Sequence, residues 1–262
     1  MLVEQRYQVI LDLMKATGTG SVRVADLKKN LDVSSETIRR DLENMESQGL
    51  IRRARGGAFL NETAAEDNNH NRYQPFGARG QERVERKKEI AEFAVSFIRE
   101  GQSIALDSGT TAYALARVIK QRFQALTVVT NSMAIANELA DAKGITLIVT
   151  GGVYRPEEVA FVSDIAGLIF SKLNIDVFFL TTCGISVERG VTYQRMDEIM
   201  VQEKMMEASD KTFVIADSSK LGVNSLVKMC DVDKISMIIT DSDAAASQTA
   251  PFERAGIPVR KP

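Results

Sequence analysis

The chain has 262 residues, 44% of them hydrophobic and 26% charged, with a formal net charge of −2. That length suits two domains, one modest and one larger, and the near-neutral balance excludes a protein that binds polyanions over its whole surface. Neither a bilayer-length apolar stretch nor a signal-peptide pattern occurs, so the expectation is a cytoplasmic protein without a membrane partner.

The charge is uneven. Residues 1–60 hold ten Lys or Arg against eight Asp or Glu, which leaves the remainder at about −4. Affinity for nucleic acid is therefore expected in the amino-terminal part, where Arg52, Arg53 and Arg55 cluster. Cys183 and Cys230 are too few for a disulfide framework or a thiolate metal site and read as buried small hydrophobes. The one histidine, His70, lies in a polar tract, which argues against His-based zinc chemistry and a Ser-His-Asp triad. No metal and no cofactor are expected.

Residues 3–15 read as a helix with Tyr7, Ile10, Leu11 and Met14 inward, followed by a short apolar stretch at Val22 and Val24. A second helix spans 25–31, with Leu27 and Leu31 inward. Only Asp32 and Val33 separate it from Ser34, a tight turn of helix-turn-helix type. Ser34 suits an N-cap. Ile38, Leu42 and Met45 recur on one face of the third helix, Glu36, Thr37, Arg40 and Asn44 on the other, with Arg39 on the flank. Gly49 supplies the stop. Such a helix fits a DNA major groove. Residues 50–59 have strand-like ends around basic residues and a Gly pair, the pattern of a β-hairpin wing. The whole reads as a winged helix-turn-helix over residues 1–60.

Ser34-x-x-Thr37-Ile38-Arg39-Arg40-Asp41-Leu42, followed by Gly49-Leu50 and Arg55-Gly56-Gly57-Ala58, resembles the DeoR family of bacterial transcription regulators. With the later motifs, the resemblance covers nearly the whole chain. It implies operator DNA as partner, with contacts from Ser34, Ser35, Thr37, Arg39, Arg40, Asn44, Arg52, Arg53 and Arg55.

Residues 61–71 are polar and read as a linker, drawn here over 61–80, with Tyr73, Pro75 and Phe76 placed to pin its end. The charged run 81–89 feeds a helix. DeoR-like effector domains place a Lys here, at Lys87 or Lys88. From Ile90 onward, over a domain drawn as 81–262, helices and strands alternate. Strands are expected at 103–107, 126–130, 145–150, 175–181, 212–217 and 235–240, and an edge strand at 257–260. Helices are expected at 110–120, 132–142, 161–172, 196–208 and 244–255. Nearly all-apolar strands in such alternation imply a doubly wound, mainly parallel sheet, and so an α/β protein.

In open α/β sheets, ligands bind beyond the carboxyl ends of the strands. Asp107-Ser108-Gly109-Thr110-Thr111 follows one strand and opens a helix, so its hydroxyls and N–H groups suit a phosphate. Thr130-Asn131, Gly151-Gly152, Cys183-Gly184 and Asp217-Ser218-Ser219-Lys220 end or follow other strands. The resemblance agrees. It implies a DeoR-type sensor related to ribose-5-phosphate isomerase and CoA-transferase-like folds. Its motifs fall on Asp107 to Thr111, Thr130, Asn131, Gly151, Gly152, Gly184, Gly190, Thr192, Glu203 and Asp217 to Lys220. A phosphorylated sugar or related metabolite is the implied effector, with Tyr193 beside it. Around Tyr154–Asp164 the sequence departs from the family, which usually has a small residue or Gly there.

The expectation is a sequence-specific regulator, a repressor of carbohydrate genes. It would act as a dimer or tetramer, because one winged unit reads too few bases alone. A sugar-phosphate isomerase with an accessory DNA module is the alternative, with Asp107, Glu203 or Asp217 as base and Lys220 steadying an enediolate. A pure interaction adaptor would leave the basic wing idle.

Overall fold

A computed structural model describes residues 3–16, 21–31, 33–47, 51–54, 57–60 and 73–262. Asp32, Gly49, Arg55, His70 and the linker as far as residue 72 lie outside the described residues. The chain forms two compact units, residues 1–69 and 70–262.

The first unit runs α1 (Val3–Ala16), β1 (Ser21–Arg23), α2 (Val24–Asn30), α3 (Ser35–Ser47), β2 (Ile51–Ala54) and β3 (Gly57–Leu60). Its three strands pair antiparallel in the order β1-β3-β2. Ile10, Met14, Leu27, Leu31, Ile38, Leu42, Met45, Ile51 and Ala58 form the core. The heptad-like spacing of Ile38, Leu42 and Met45 is thus what seats α3. Residues of α1 clamp it further: the Arg6 guanidinium grips Asp41 at 2.8 and 3.0 Å, with both side chains nearly buried. That bond to Asp41 raises the Arg6 pKa.

In the second unit, α4 (Phe76–Gln81) and α5 (Val84–Ala94) precede β4 (Ser103–Leu106), α6 (Thr110–Arg122), β5 (Leu126–Thr130), α7 (Met133–Leu139) and β6 (Ile145–Val149). A hairpin follows, β7 (Val153–Arg155) and β8 (Ala160–Val162), then α8 (Asp164–Gly167) and a 3-10 turn (Leu168–Lys172). Next come β9 (Ile175–Leu180), β10 (Gly184–Ser186), β11 (Gly190–Tyr193), α9 (Met196–Glu207), β12 (Ser209–Ile215) and β13 (Val227–Cys230). The domain closes with β14 (Met237–Ile239), α10 (Ala246–Arg254) and β15 (Val259–Arg260).

Seven strands make the main sheet in the order β15-β14-β12-β9-β4-β5-β6, and every pair in it is parallel. Alternate residues of a strand point to opposite faces, and both faces are covered. Leu106, Val128, Phe179 and Ile215 pack with Ile90, Leu115 and Ile119 on one side. Ala105, Val129, Phe178, Leu180 and Val214 pack with Val201, Met205 and Phe252 on the other. From β4 the chain winds outward through β5 and β6, then returns to β9 on the opposite side of β4. The order reverses between β4 and β9, so their carboxyl ends frame the switch-point crevice.

Three expectations are corrected. The second half of the drawn linker is folded into the second unit. Phe76 N–H donates to the Glu157 carbonyl (2.8 Å), the Phe76 ring meets Tyr113 edge-on, and Arg79 pairs with Glu158. The helix expected over 161–172 begins instead as strand β8, because Phe161 N–H is taken by the Asn131 carbonyl (2.8 Å) and Ser163 breaks the chain at φ 88°. Finally, β10, β11 and β13 form a separate antiparallel sheet, where only a loop was read at Cys183-Gly184. Among the described residues no helix is long and apolar enough to cross a membrane.

Candidate DNA interface and effector site

In α3, Ser34 caps the helix by accepting the Thr37 N–H at 3.1 Å, and the two hydroxyls lie 2.9 Å apart. Thr37 is thus partly engaged in holding the helix start. Ser34, Arg39, Arg40 and Asn44 are exposed, while Ser35 and Thr37 are half-buried. Arg39 pairs with Glu36 at 3.3 Å along the surface. Arg40 has no ion-pair partner among the described residues and is exposed. Arg53 is held: its side chain meets Glu43 at 2.7 Å and its N–H meets Glu46 at 2.8 Å, which ties β2 to α3. The side chain of Arg52 and all of Arg55 lie outside the described residues.

At the switch point of the second unit, Asp107 is 1% exposed, and four residues converge on it. Oδ1 accepts Ser108 N–H (2.7 Å) and Gln202 Nε2 (2.9 Å). Oδ2 accepts Thr181 N–H (3.1 Å), the Thr181 hydroxyl and the Tyr193 hydroxyl (3.0 Å). A carboxylate so filled has no acceptor capacity left for a ligand. Asp107 splices β4, β9, β11 and α9 together. Tyr193 is placed with it, buried and shared between Asp107 and the Thr181 carbonyl. Burial and the Asp107 charge hold its phenol well above the usual pKa. The Tyr193 hydroxyl is thus taken up in the framework around Asp107.

Gly109 shows why this loop needs glycine: a Cβ would lie 2.2 Å from Thr181 Oγ1. It starts α6 without a side-chain cap. The N–H groups of the first turn, at Thr110 and Thr111, therefore remain available, with Ser108 half-buried next to them. Thr130 is fully buried, its hydroxyl donating to the Leu106 carbonyl at 2.8 Å and accepting Ser132 N–H at 3.0 Å. Asn131 Nδ2 donates to the Phe161 carbonyl at 2.9 Å. Gly151 and Gly152 turn the chain beyond β6 at φ 66° and 112°. Gly184 sits in β10, tied to Thr182 and Thr192.

Beyond β12, Asp217 accepts Ser219 N–H at 3.1 Å and meets Arg83 at 3.6 Å. Ser218 is buried, its N–H held by Asp241 at 2.6 Å. Lys220 Nζ has no partner among the described residues and is half-buried. Close to Asp217 and Lys220 lies Lys87, buried on α5, with Nζ donating to the Arg79 and Glu82 carbonyls (2.7 Å for the latter). Burial lowers its pKa to about 8, against the pull of Asp217.

Glu203 is not brought to this cluster. It is exposed and lines a surface groove with Gly167, Leu168 and Lys204. One residue along a helix is a rotation of about 100°, and the adjacent Gln202 is the one that reaches Asp107. One turn earlier on the same face stands Glu198, whose carboxyl burial and the nearby Glu158 push up to about 8. Glu158, Arg79, Glu198 and Gln202 escaped the sequence reading. Their one visible signal was the i, i+4 spacing of Glu198 and Gln202, since Arg79 fell in the drawn linker. The thiols carry no evident chemistry: burial raises Cys183 and Cys230 to about 11.

A winged helix-turn-helix joined to an α/β unit whose sheet edge offers an uncapped helix start and an unpaired lysine defines a two-domain transcription regulator. Residues 6–64 match the DeoR-like helix-turn-helix domain, and residues 82–242 the DeoR C-terminal sensor domain. A transcriptional regulator of Haloferax volcanii is 34% identical over 99% of this chain and 98% of its own. A transcriptional repressor of Bacillus subtilis is 32% identical over 92% of this chain and 89% of its own. A solved ribose 5-phosphate isomerase from Methanocaldococcus jannaschii aligns with 51% of this chain and 52% of that one, at 15% identity and a TM-score of 0.38. The chain belongs to the DeoR family; it is a DNA-binding transcription regulator and not an enzyme.

Proposed function

We propose that this regulator represses carbohydrate-metabolism genes and leaves its operator when a phosphorylated sugar occupies the switch point. The observation that carries this reading is the uncapped start of α6, with the unpaired Lys220 and the buried Lys87 at the same edge of the sheet. N–H groups at a helix start, backed by the helix dipole, favour an anion. The Bacillus subtilis relative is named a repressor, which supports that sign of regulation. Thr37 and Arg40 are assigned to base edges, and Ser34, Ser35, Arg39, Asn44, Arg52 and Arg55 to positioning on the duplex. Arg53 is assigned to holding the wing on α3. The protein works as a symmetric dimer or tetramer on repeated half-sites.

A gel-shift on the gene's own upstream DNA with a panel of sugar phosphates tests this. The expected result is a shifted band released by one compound and insensitive to the unphosphorylated sugar. Release by none, or by sugar and sugar phosphate equally, would overturn the effector assignment. A light-scattering mass of one protomer alongside tight DNA binding would overturn the oligomer.

A further inference from the structure

Next to the anion edge, the structure leaves a set of buried acceptors unfilled. Glu158 is 5% exposed; one carboxylate oxygen pairs with Arg79, while Oε1 is buried without a hydrogen-bond partner. Gln202 is 2% exposed; its Nε2 is spent on Asp107, and its Oε1 is likewise buried and unpartnered. Glu198, one turn from Gln202 on the same face of α9, has no hydrogen-bond or ion-pair partner among the described residues. It lies near enough to Glu158, Arg79 and Asp107 to feel all three charges. Tyr73 packs beside Glu158, and burial together with that carboxylate pushes its phenol up to about 12; its hydroxyl is unpartnered, and its ring lies under the Arg195 guanidinium, 5.2 Å from the centroid. At the end of β5, Asn131 Oδ1 is a further buried acceptor without a partner.

Buried acceptors left open are costly, about 1–3 kcal/mol for a neutral group and more for a charged one. Their accumulation on one side of the switch point is the opposite of what a phosphate needs. It is what a hydrogen-bond donor needs. We infer that Glu158, with Gln202 beside it, is the specificity-determining group for the non-phosphate part of the effector, reading a donor that the ligand carries as a hydroxyl or an ammonium group. This inference rests on the proposed sugar-phosphate reading and divides that ligand in two. The α6 start and Lys220 take the anion, and Glu158 and Gln202 take the donors.

Isothermal titration of the full chain separates the two parts. The probes are inorganic phosphate and methyl phosphate, which carry an anion and no sugar donors, then glucose 6-phosphate as the hydroxyl arm and glucosamine 6-phosphate as the ammonium arm. Wild type is expected to bind at least one arm about tenfold or more tighter than inorganic phosphate, the worth of one charge-assisted hydrogen bond. Glu158→Gln, which keeps the shape and one bond to Arg79, is expected to abolish that preference and to hold inorganic phosphate within about twofold. If Glu158→Gln does not fold, by its melting curve, Glu198→Gln is read in the same way for its neighbouring carboxyl. A preference that survives substitution overturns the inference. So does a parallel loss of inorganic phosphate, which would make Glu158 a mere prop for Arg79. Wild-type binding of inorganic phosphate with no preference for either arm overturns it while leaving the anion site standing. Failure of every probe to bind removes the anion reading itself, and this inference with it.

Discussion

The two units keep their polar groups in opposite ways. On α3 the polar side chains stand outside: Arg40 is exposed and has no ion-pair partner among the described residues, while Asp41, the next residue, turns inward to hold Arg6. At the sheet edge the reverse holds. Asp107, Thr130 and Tyr193, the residues a motif search finds first, are buried and saturated, while Lys220 and Glu198 have no hydrogen-bond or ion-pair partner among the described residues and one buried oxygen of Glu158 is unpartnered. A helix lying on a small core displays its function by periodicity. A sheet edge hides its framework in its motifs and brings polar groups together from elsewhere in the chain.

The largest expected effect breaks that comparison at Asp107. Asp107→Ala strips the Thr181 N–H, the Thr181 hydroxyl and Gln202 of their buried acceptor, at about 1–3 kcal/mol for each donor left unmet, while the Tyr193 hydroxyl keeps the Thr181 carbonyl. Urea unfolding of the full chain is expected to show the second unit destabilised by more than about 3 kcal/mol. A loss below about 1 kcal/mol, with effector response abolished, would instead make Asp107 a ligand group. On the other unit, Arg40→Ala is expected to cost about 1–3 kcal/mol of operator affinity and to relax one base position, with the fold intact. Fluorescence anisotropy on operator variants checks it; unaltered discrimination would move base readout elsewhere on α3.

A smaller effect concerns strain. Ser163 sits at φ 88°, ψ 171°, a region essentially reserved for glycine. Ser163→Gly is expected to stabilise the second unit by about 1 kcal/mol, strain relief less the entropy of an added glycine. An unchanged or lowered melting temperature would show that the loop carries no strain.

The smallest effect is pH dependence, and its two sources oppose each other. Glu198 has a folded pKa raised to about 8. Its contribution is full below the ordinary carboxylate range and is lost as pH rises through about 8. Lys87 has a folded pKa lowered to about 8. Its burial cost is full below that pH and is relieved as pH rises from there toward the ordinary lysine value. Between pH 6 and 9, Glu198→Gln is expected to remove a fall in melting temperature relative to wild type, and Lys87→Met a rise. Identical profiles for all three proteins would contradict both placements.

The sequence made much of the fold legible. Unbroken apolar strands announced the parallel sheet, and Ile38, Leu42 and Met45 announced the inner face of α3. Where the reading missed, the cause was non-local. Nothing in residues 160–163 foretells that Phe161 pairs with Asn131, and the β10-β11-β13 sheet depends on partners far apart in the chain. At the site, the strand-end loops were legible because glycine and hydroxyl residues mark strand-to-helix turns. Arg79 and Glu158 were not, because their meeting joins segments 79 residues apart. Glu203 was chosen on α9, whereas the neighbouring Gln202 is the residue that reaches Asp107, a difference that periodicity alone does not resolve on a helix as mixed as α9.

The division of labour between an outward-facing reader and a sheet-edge sensor is tested most directly with Lys220→Ala. Its binding to the upstream DNA would be followed by anisotropy as the releasing sugar phosphate is titrated in. The account predicts wild-type affinity for the DNA without effector, and about tenfold or more effector needed for release, as expected for the loss of a charge-assisted bond. Weakened DNA binding without effector, or release at the wild-type concentration, would contradict it.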